Sequence, residues 1–229
     1  MQRSLAASRG LVAWFTTVLA SFSLVAWPTR AQESAPPYRD HTDPAYLLDA
    51  TGAKRPIKTL DDWNVRRAAI FAGMKAAMGP VPDAAKRVPL DVQQVEQVTL
   101  DGGLVRRKVQ YQTEPRDRVA AYLFLPANAN DGKKRPAILC LHQTTQIGKE
   151  EPSGLGGNPN LHYALHLARR GYVTLAPDYP SFGEHQFDFA DPKFGYVSGT
   201  MKAIWDNLRG LALCFAALRS ADRGVAIRL

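Results

Sequence analysis

Two apolar runs decide the fold: Pro136-Ala137-Ile138-Leu139-Cys140-Leu141-His142 and Tyr172-Val173-Thr174-Leu175-Ala176. Each is short and unbroken, which is how a strand buried on both faces reads. Between them Asn158 suits an N-cap and Pro159 a first helical position. Leu161, Ala164, Leu165 and Ala168 then form one apolar stripe, and Gly171 closes the helix. Strand, helix and strand in this order build a parallel sheet covered by helices.

Working outward, Met201, Ile204, Trp205, Leu208, Leu211, Ala212 and Phe215 mark a second amphipathic helix, and Gly224 to Leu229 reads as the start of another strand. Upstream, Val92 to Leu100, Leu104 to Gln112 and Val119 to Leu125 are strand-like, with Asp101-Gly102-Gly103 as a turn. Alternation in Val105, Arg107, Val109 and Tyr111 suits a half-buried antiparallel strand. Asp61 to Met78 has Val65, Ala68, Ala69, Ala72 and Ala76 at helical spacing and ends at Gly79-Pro80, predicting a helix packed outside the main domain. Residues 32 to 58 lack periodicity and read as an arm. The fold class is therefore α/β: antiparallel opening strands, then strand-helix-strand-helix of a parallel sheet.

The leader is set aside from that fold. Arg3 and Arg9 precede an almost wholly apolar or small stretch from Gly10 to Trp27, and Pro28 and Thr29-Arg30-Ala31 follow. This is a secretory signal pattern and predicts cleavage after Ala31, with a membrane anchor as the minor alternative. The formal charge of +8 includes three of the 29 basic residues in that leader and none of the 21 acidic ones, leaving +5. The remaining bases come in twos and threes without interleaved aromatics, which argues against nucleic-acid binding. Cys140 and Cys214 each sit in an apolar run and read as buried free thiols; no CxxC spacing supports a zinc or redox motif.

From Pro136 to Phe215 the sequence resembles the α/β-hydrolase superfamily, in its dienelactone hydrolase and acetyl xylan esterase-like branch. The resemblance rests on Pro136 to Thr144, Gly148-Lys149-Glu150-Glu151-Pro152-Ser153-Gly154-Leu155-Gly156-Gly157, Arg170 to Gly183 including Ala176-Pro177-Asp178-Tyr179-Pro180-Ser181, and Ser198 to Lys202 with Trp205. It implies a serine hydrolase of carboxylic esters, acting on a small ester or acylated carbohydrate, with no cofactor. It also implies that the loop after His142 supplies a backbone oxyanion donor, Thr144 or its neighbour Gln143. The family more often has Gly directly after this His; Gln143 departs from that.

The nucleophile belongs in Gly-x-Ser-x-Gly. Ser153, Ser181 and Ser198 all lack the two glycines. In the family that elbow follows the strand after the Trp205 helix, so nucleophile, acid and base are expected beyond the chain end, and the chain alone is expected to be inactive and insoluble, molten or oligomeric. The expected organisation is a signal peptide at 1–31, an N-terminal arm and helix at 32–90, and the first half of an α/β-hydrolase domain at 91–229. The localisation expected is periplasmic or extracellular, with no membrane insertion after cleavage.

Other motifs point elsewhere but weakly. His162 and His166 are four apart yet fall off the apolar stripe, and no Glu lies between them, so no metal site is assigned. His185, beside Glu184 and Asp188, reads as part of a surface cluster. Gly154-Leu155-Gly156-Gly157 is neither correctly spaced nor directly after a strand, which argues against nucleotide binding. Two alternatives to the esterase stand: a non-catalytic binding or scaffold protein derived from a hydrolase, and a nucleotide-binding oxidoreductase.

Overall fold

The computed structural model describes residues 38–40, 42–129, 131, 135–192 and 194–222. The leader, His41 and Gly224 to Leu229 lie outside the described residues. In chain order the elements are β1 (Tyr46–Leu48), β2 (Lys54–Pro56), α1 (Leu60–Met78), β3 (Gln93–Thr99), β4 (Val105–Glu114), β5 (Asp117–Leu125), β6 (Ala137–Leu139), α2 (Tyr163–Arg169), β7 (Val173–Pro177) and α3 (Gly199–Asp222).

β3, β4 and β5 form the expected antiparallel meander, and β7 pairs antiparallel with β5 and parallel with β6. The five-stranded order is β3-β4-β5-β7-β6. Alternation along β5 divides the core. Val119, Ala121, Leu123 and Leu125 join Val109, Tyr111, Leu175, Leu213 and Cys214 on the α3 face. Tyr122 and Phe124 join Cys140, Ala164, Ala168 and Ala176 on the α2 face. Successive strand residues point to opposite faces, so one strand supplies both cores.

The two edges differ. β3 exposes Gln93, Gln94, Glu96 and Gln97, a polar edge that resists pairing with another chain. β6 is only three residues long and half-buried throughout, which corrects the expectation of a strand from Pro136 to His142 buried on both faces. It is an edge strand: among the described residues nothing pairs with its outer side.

Three further expectations are corrected. The arm contains the β1–β2 hairpin, too short to show alternation. α1 begins with a capping box, in which the Thr59 hydroxyl accepts from Asp62 N–H and the Asp62 carboxylate from Thr59 N–H. Its small apolar stripe is not what it buries, since Val65 is 59% exposed. The buried residue is Arg66, whose guanidinium lies 3.8 Å from the Tyr38 ring centre and donates to the Pro44 carbonyl. Asn158 caps a single 3-10 turn (Pro159–Leu161), and α2 proper starts after it.

Candidate active site

In a parallel sheet, ligands collect where the strands end at their carboxyl termini, because the loops there are free to diverge. Here β6 runs into the loop at 140–151 and β7 into the loop at 178–198, and α3 follows. Between them lies a cavity of about 530 Å³ lined by Leu141, Tyr179, Phe182, Phe189, Ile204 and Asn207, among others. Its walls are mainly aromatic and aliphatic. Asn207 Oδ1 is buried there with no hydrogen-bond partner among the described residues.

His142 lies in the loop three residues past the end of β6 and is buried. Its Nε2 accepts from Tyr179 N–H at 3.0 Å, so Nδ1 carries the proton and donates to the Gln143 carbonyl at 2.5 Å. Burial pushes its pKa below the usual imidazole value, with the Gln143 bond acting the other way. The ring is thus a neutral strut between two loops and has no free lone pair for base catalysis. Gln143 and Thr144 are exposed and follow cavity-lining Leu141 directly. Neither N–H meets an acceptor among the described residues.

The two loops are clamped by a buried ion pair. The side chains of Lys149 and Asp178 are 1% and 0% exposed. Asp178 accepts from Lys149 N–H at 2.8 Å, from Lys149 Nζ at 2.8 Å and from Glu184 N–H at 2.9 Å. Burial alone would lower the Lys149 ammonium, but Asp178 and Glu184 hold it above its ordinary value. Gly148 and Gly183 make this approach possible. Both have positive φ, +54° and +55°, and a Cβ on either would stand about 2 Å from the Asp178 carboxylate.

Behind the cavity lies a second buried polar cluster. Lys202 Nζ donates to Asp117, to Asp206 Oδ1 at 2.6 Å and to Thr113 Oγ1 at 3.3 Å, and lies 3.0 Å from Glu114 Oε1. A β-bulge at Thr113 turns both Thr113 and Glu114 inward. His185 joins this cluster at 2% exposure, which corrects its reading as a surface residue. Its Nε2 lies 3.0 Å from Asp117 Oδ1. Asp117, His185 and Asp206 bring potential ligand atoms within 4.8 Å of one another, but the Lys202 ammonium already binds both acids. The sequence offered one signal for this cluster: Lys202 and Asp206 each follow a core residue of α3, Met201 and Trp205, and so border its buried face.

None of the hydroxyls of the serines considered bonds a histidine side chain. Ser153 is buried with Oγ unpartnered, Ser181 Oγ donates to the Phe187 carbonyl, and Ser198 Oγ donates to Met78 O and caps α3. His162 and His166 stack near the surface, ring centres 6.3 Å apart. Cys140 and Cys214 are free, buried thiols, both pushed up to about 12 chiefly by burial. Among the described residues no helix is long and apolar enough to cross a membrane.

An antiparallel opening, a crossover pair of parallel strands, helices on both faces and a cavity at the strands' carboxyl ends give this chain the fold of the α/β-hydrolases. The likeness extends to two solved esterase structures. One is a protein described as an acetyl xylan esterase from Bacteroides fragilis, with TM-score 0.53 and 17% identity, covering 72% of this chain and 45% of that one. The other is a glucuronoyl esterase from Solibacter usitatus, with TM-score 0.50 and 16% identity, covering 79% of this chain and 54% of that one. At such identities the relation to ester hydrolases is one of fold. The chain spans about half the length of the structures it matches. No protein-family model matches the sequence, and no curated protein does.

Proposed function

We propose that this chain forms the oxyanion-binding part of an exported carboxylic-ester hydrolase, acting on a small ester or acylated carbohydrate, with the serine, acid and histidine outside the described residues. The observation that carries this reading is the fixed peptide between Gln143 and Thr144. His142 Nδ1–H holds the Gln143 carbonyl, and His142 is itself held by Tyr179 N–H. In a planar trans peptide the following N–H points the opposite way. Thr144 N–H is therefore aimed away from the His142 ring and is already oriented before any ligand arrives. A donor that needs no reorganisation is what a developing oxyanion requires.

Short-chain carboxylate anions, the products of ester cleavage, test the donor. Titrating butyrate into the isotope-labelled chain should move the Thr144 amide proton downfield, and the cavity residues Leu141 and Tyr179 should respond at the same concentrations. Perturbations that avoid residues 141–144 would overturn the reading and favour a hydrolase-derived binding protein. The same preparation should not hydrolyse short aryl esters above a denatured-protein control. Turnover lost on Ser153→Ala, Ser181→Ala or Ser198→Ala would place the nucleophile inside the described residues instead. Export is tested separately by the mass of the mature N-terminus: Gln32 is expected, and an intact Met1 in a soluble cytosolic fraction would refute it.

A further inference from the structure

Three aromatic rings wall the cavity, and each is fixed from behind. Tyr179 and Phe182 pack on the buried His142 ring, with ring centres 4.3 Å and 6.0 Å away. Phe189 packs edge to face on Phe187 at 4.8 Å, and Phe187 is itself buried against Phe194 and Tyr196. A further wall is one face of α3, where Thr200, Ala203, Ile204 and Asn207 are spaced i, i+3, i+4 and i+7. Gly199 starts that helix beneath the Phe189 ring. A Cβ there would stand 3.2 Å from Phe189 Cζ, so the glycine lets the ring close on the helix start.

This lining selects among ligand groups by charge, polarity and size. Among the described residues that line it none carries a charge at neutral pH, since burial raises the Tyr179 phenol and keeps it protonated. The charged residues beside the lining in sequence, Asp178, Lys202 and Asp206, are turned into their own buried ion pairs. A charged ligand group would therefore lose its water without gaining a partner. A sugar meets the same difficulty at several hydroxyls, each of which needs a hydrogen bond once buried. The polar side chains of the lining are few, and the Ser181 hydroxyl already donates to the Phe187 carbonyl. An acetyl group is too small. At about 530 Å³ the cavity is more than three times the roughly 150 Å³ that holds a benzene ring in an apolar protein interior. A flat apolar ring gains both buried area and ring–ring contact from such walls.

We propose that the cavity receives an uncharged aromatic ring carried by the ester, with Phe189 as the wall that selects it, and that a sugar, where the substrate has one, stays outside. That the ring arrives on an ester rests on the oxyanion reading above; that a ring is what enters rests on the cavity walls alone.

The test is a set of ligand titrations followed by NMR of the isotope-labelled full chain. 4-Phenylbutyrate is butyrate with a ring added, and should bind about tenfold tighter or more, the gain expected from burying a phenyl group. Its ring protons should show nuclear Overhauser effects to Phe189 and to the Ile204 methyls. Benzyl alcohol, which has the ring and no carboxylate, should shift Leu141, Phe189 and Ile204, whereas methyl β-D-xyloside and D-glucuronate should leave them unmoved at the same concentrations. Phe189→Ala should reduce the advantage of 4-phenylbutyrate over butyrate about three- to tenfold. Ala203→Leu, which puts side-chain bulk into the cavity, should reduce it as well, and reads the cavity independently should the first variant disturb the loop. Equal affinities for the two carboxylates, a response to the xyloside at the concentrations used for benzyl alcohol, or an advantage untouched by both substitutions would overturn the proposal. A cavity response to benzyl alcohol with Thr144 unmoved by butyrate would leave the aromatic pocket standing and remove the ester reading. Butyrate at Thr144 without any preference for the ring would do the reverse.

Discussion

Replacing Asp178 by Asn leaves Lys149 as a buried cation with a single acidic neighbour. Asp178 takes three donors at once, Lys149 N–H, Lys149 Nζ and Glu184 N–H. An amide keeps one oxygen for the first and turns its NH₂ toward the other two, so two donors lose their acceptor and face a third donor. Removing one partner of a buried pair costs about 3–5 kcal/mol. Glu184 Oε1 remains 2.7 Å from Lys149 Nζ, but it is 40% exposed and compensates only in part. The expected loss is therefore about 3 kcal/mol, a drop of roughly a hundredfold in the folded-to-unfolded ratio. The sign of the pH dependence follows from Lys149. Its folded pKa is raised, so its contribution is complete below the unfolded value of 10.5 and is lost only as pH rises through the folded one. The deficit should therefore be constant from about pH 6 to about pH 9. Urea titration followed by fluorescence is the assay, since Trp205 is buried and donates its indole N–H to Thr113 O at 3.0 Å. A loss below about 1 kcal/mol, the level of an exposed pair, would mean that Asp178 and Lys149 do not clamp the two loops.

Gly183→Ala and Gly148→Ala should each destabilise by more than about 2 kcal/mol, since strain at positive φ adds to collision with Asp178. Gly171→Ala, at φ +96° with nothing within 4 Å of its added carbon, should cost only the backbone strain; equal losses at all three would refute the steric argument. Lys202→Met should cost about 3–5 kcal/mol at neutral pH by leaving three buried carboxylates together. Burial raises the Asp117 carboxyl, but His185 and Lys202 outweigh it and hold it well below the usual range. That stabilisation is present above the unfolded value of 3.8 and fades as pH falls, so the gap between Lys202→Met and wild type should narrow toward about pH 3 in urea titrations. Cys140 and Cys214 should resist a thiol-disulfide reagent at about pH 8 in the native state and react once denatured; rapid native labelling would show that these cores open.

From α1 onward, the sequence by itself determined the order of the helices and strands and the fold class. An unbroken apolar run such as Val173 to Pro177, buried throughout, reports its environment locally, and so does the alternation along β4. The resemblance led to the loop after His142, but only the folded chain shows that Tyr179 and Gln143 occupy both ring nitrogens of that histidine. Tertiary structure also decided which apolar residues of α3 are covered. Leu208, Leu211 and Phe215 fit the helical stripe yet are 45%, 38% and 61% exposed, while Lys202 and Asp206 beside the stripe are buried. Helical spacing defines a direction, whereas burial depends on what lies opposite. The bulge at Thr113 brings Glu114 to Lys202 from 88 positions away. Periodicity within one segment carries no information about such a meeting, because its stabilisation exists only when distant charges share the same dry interior.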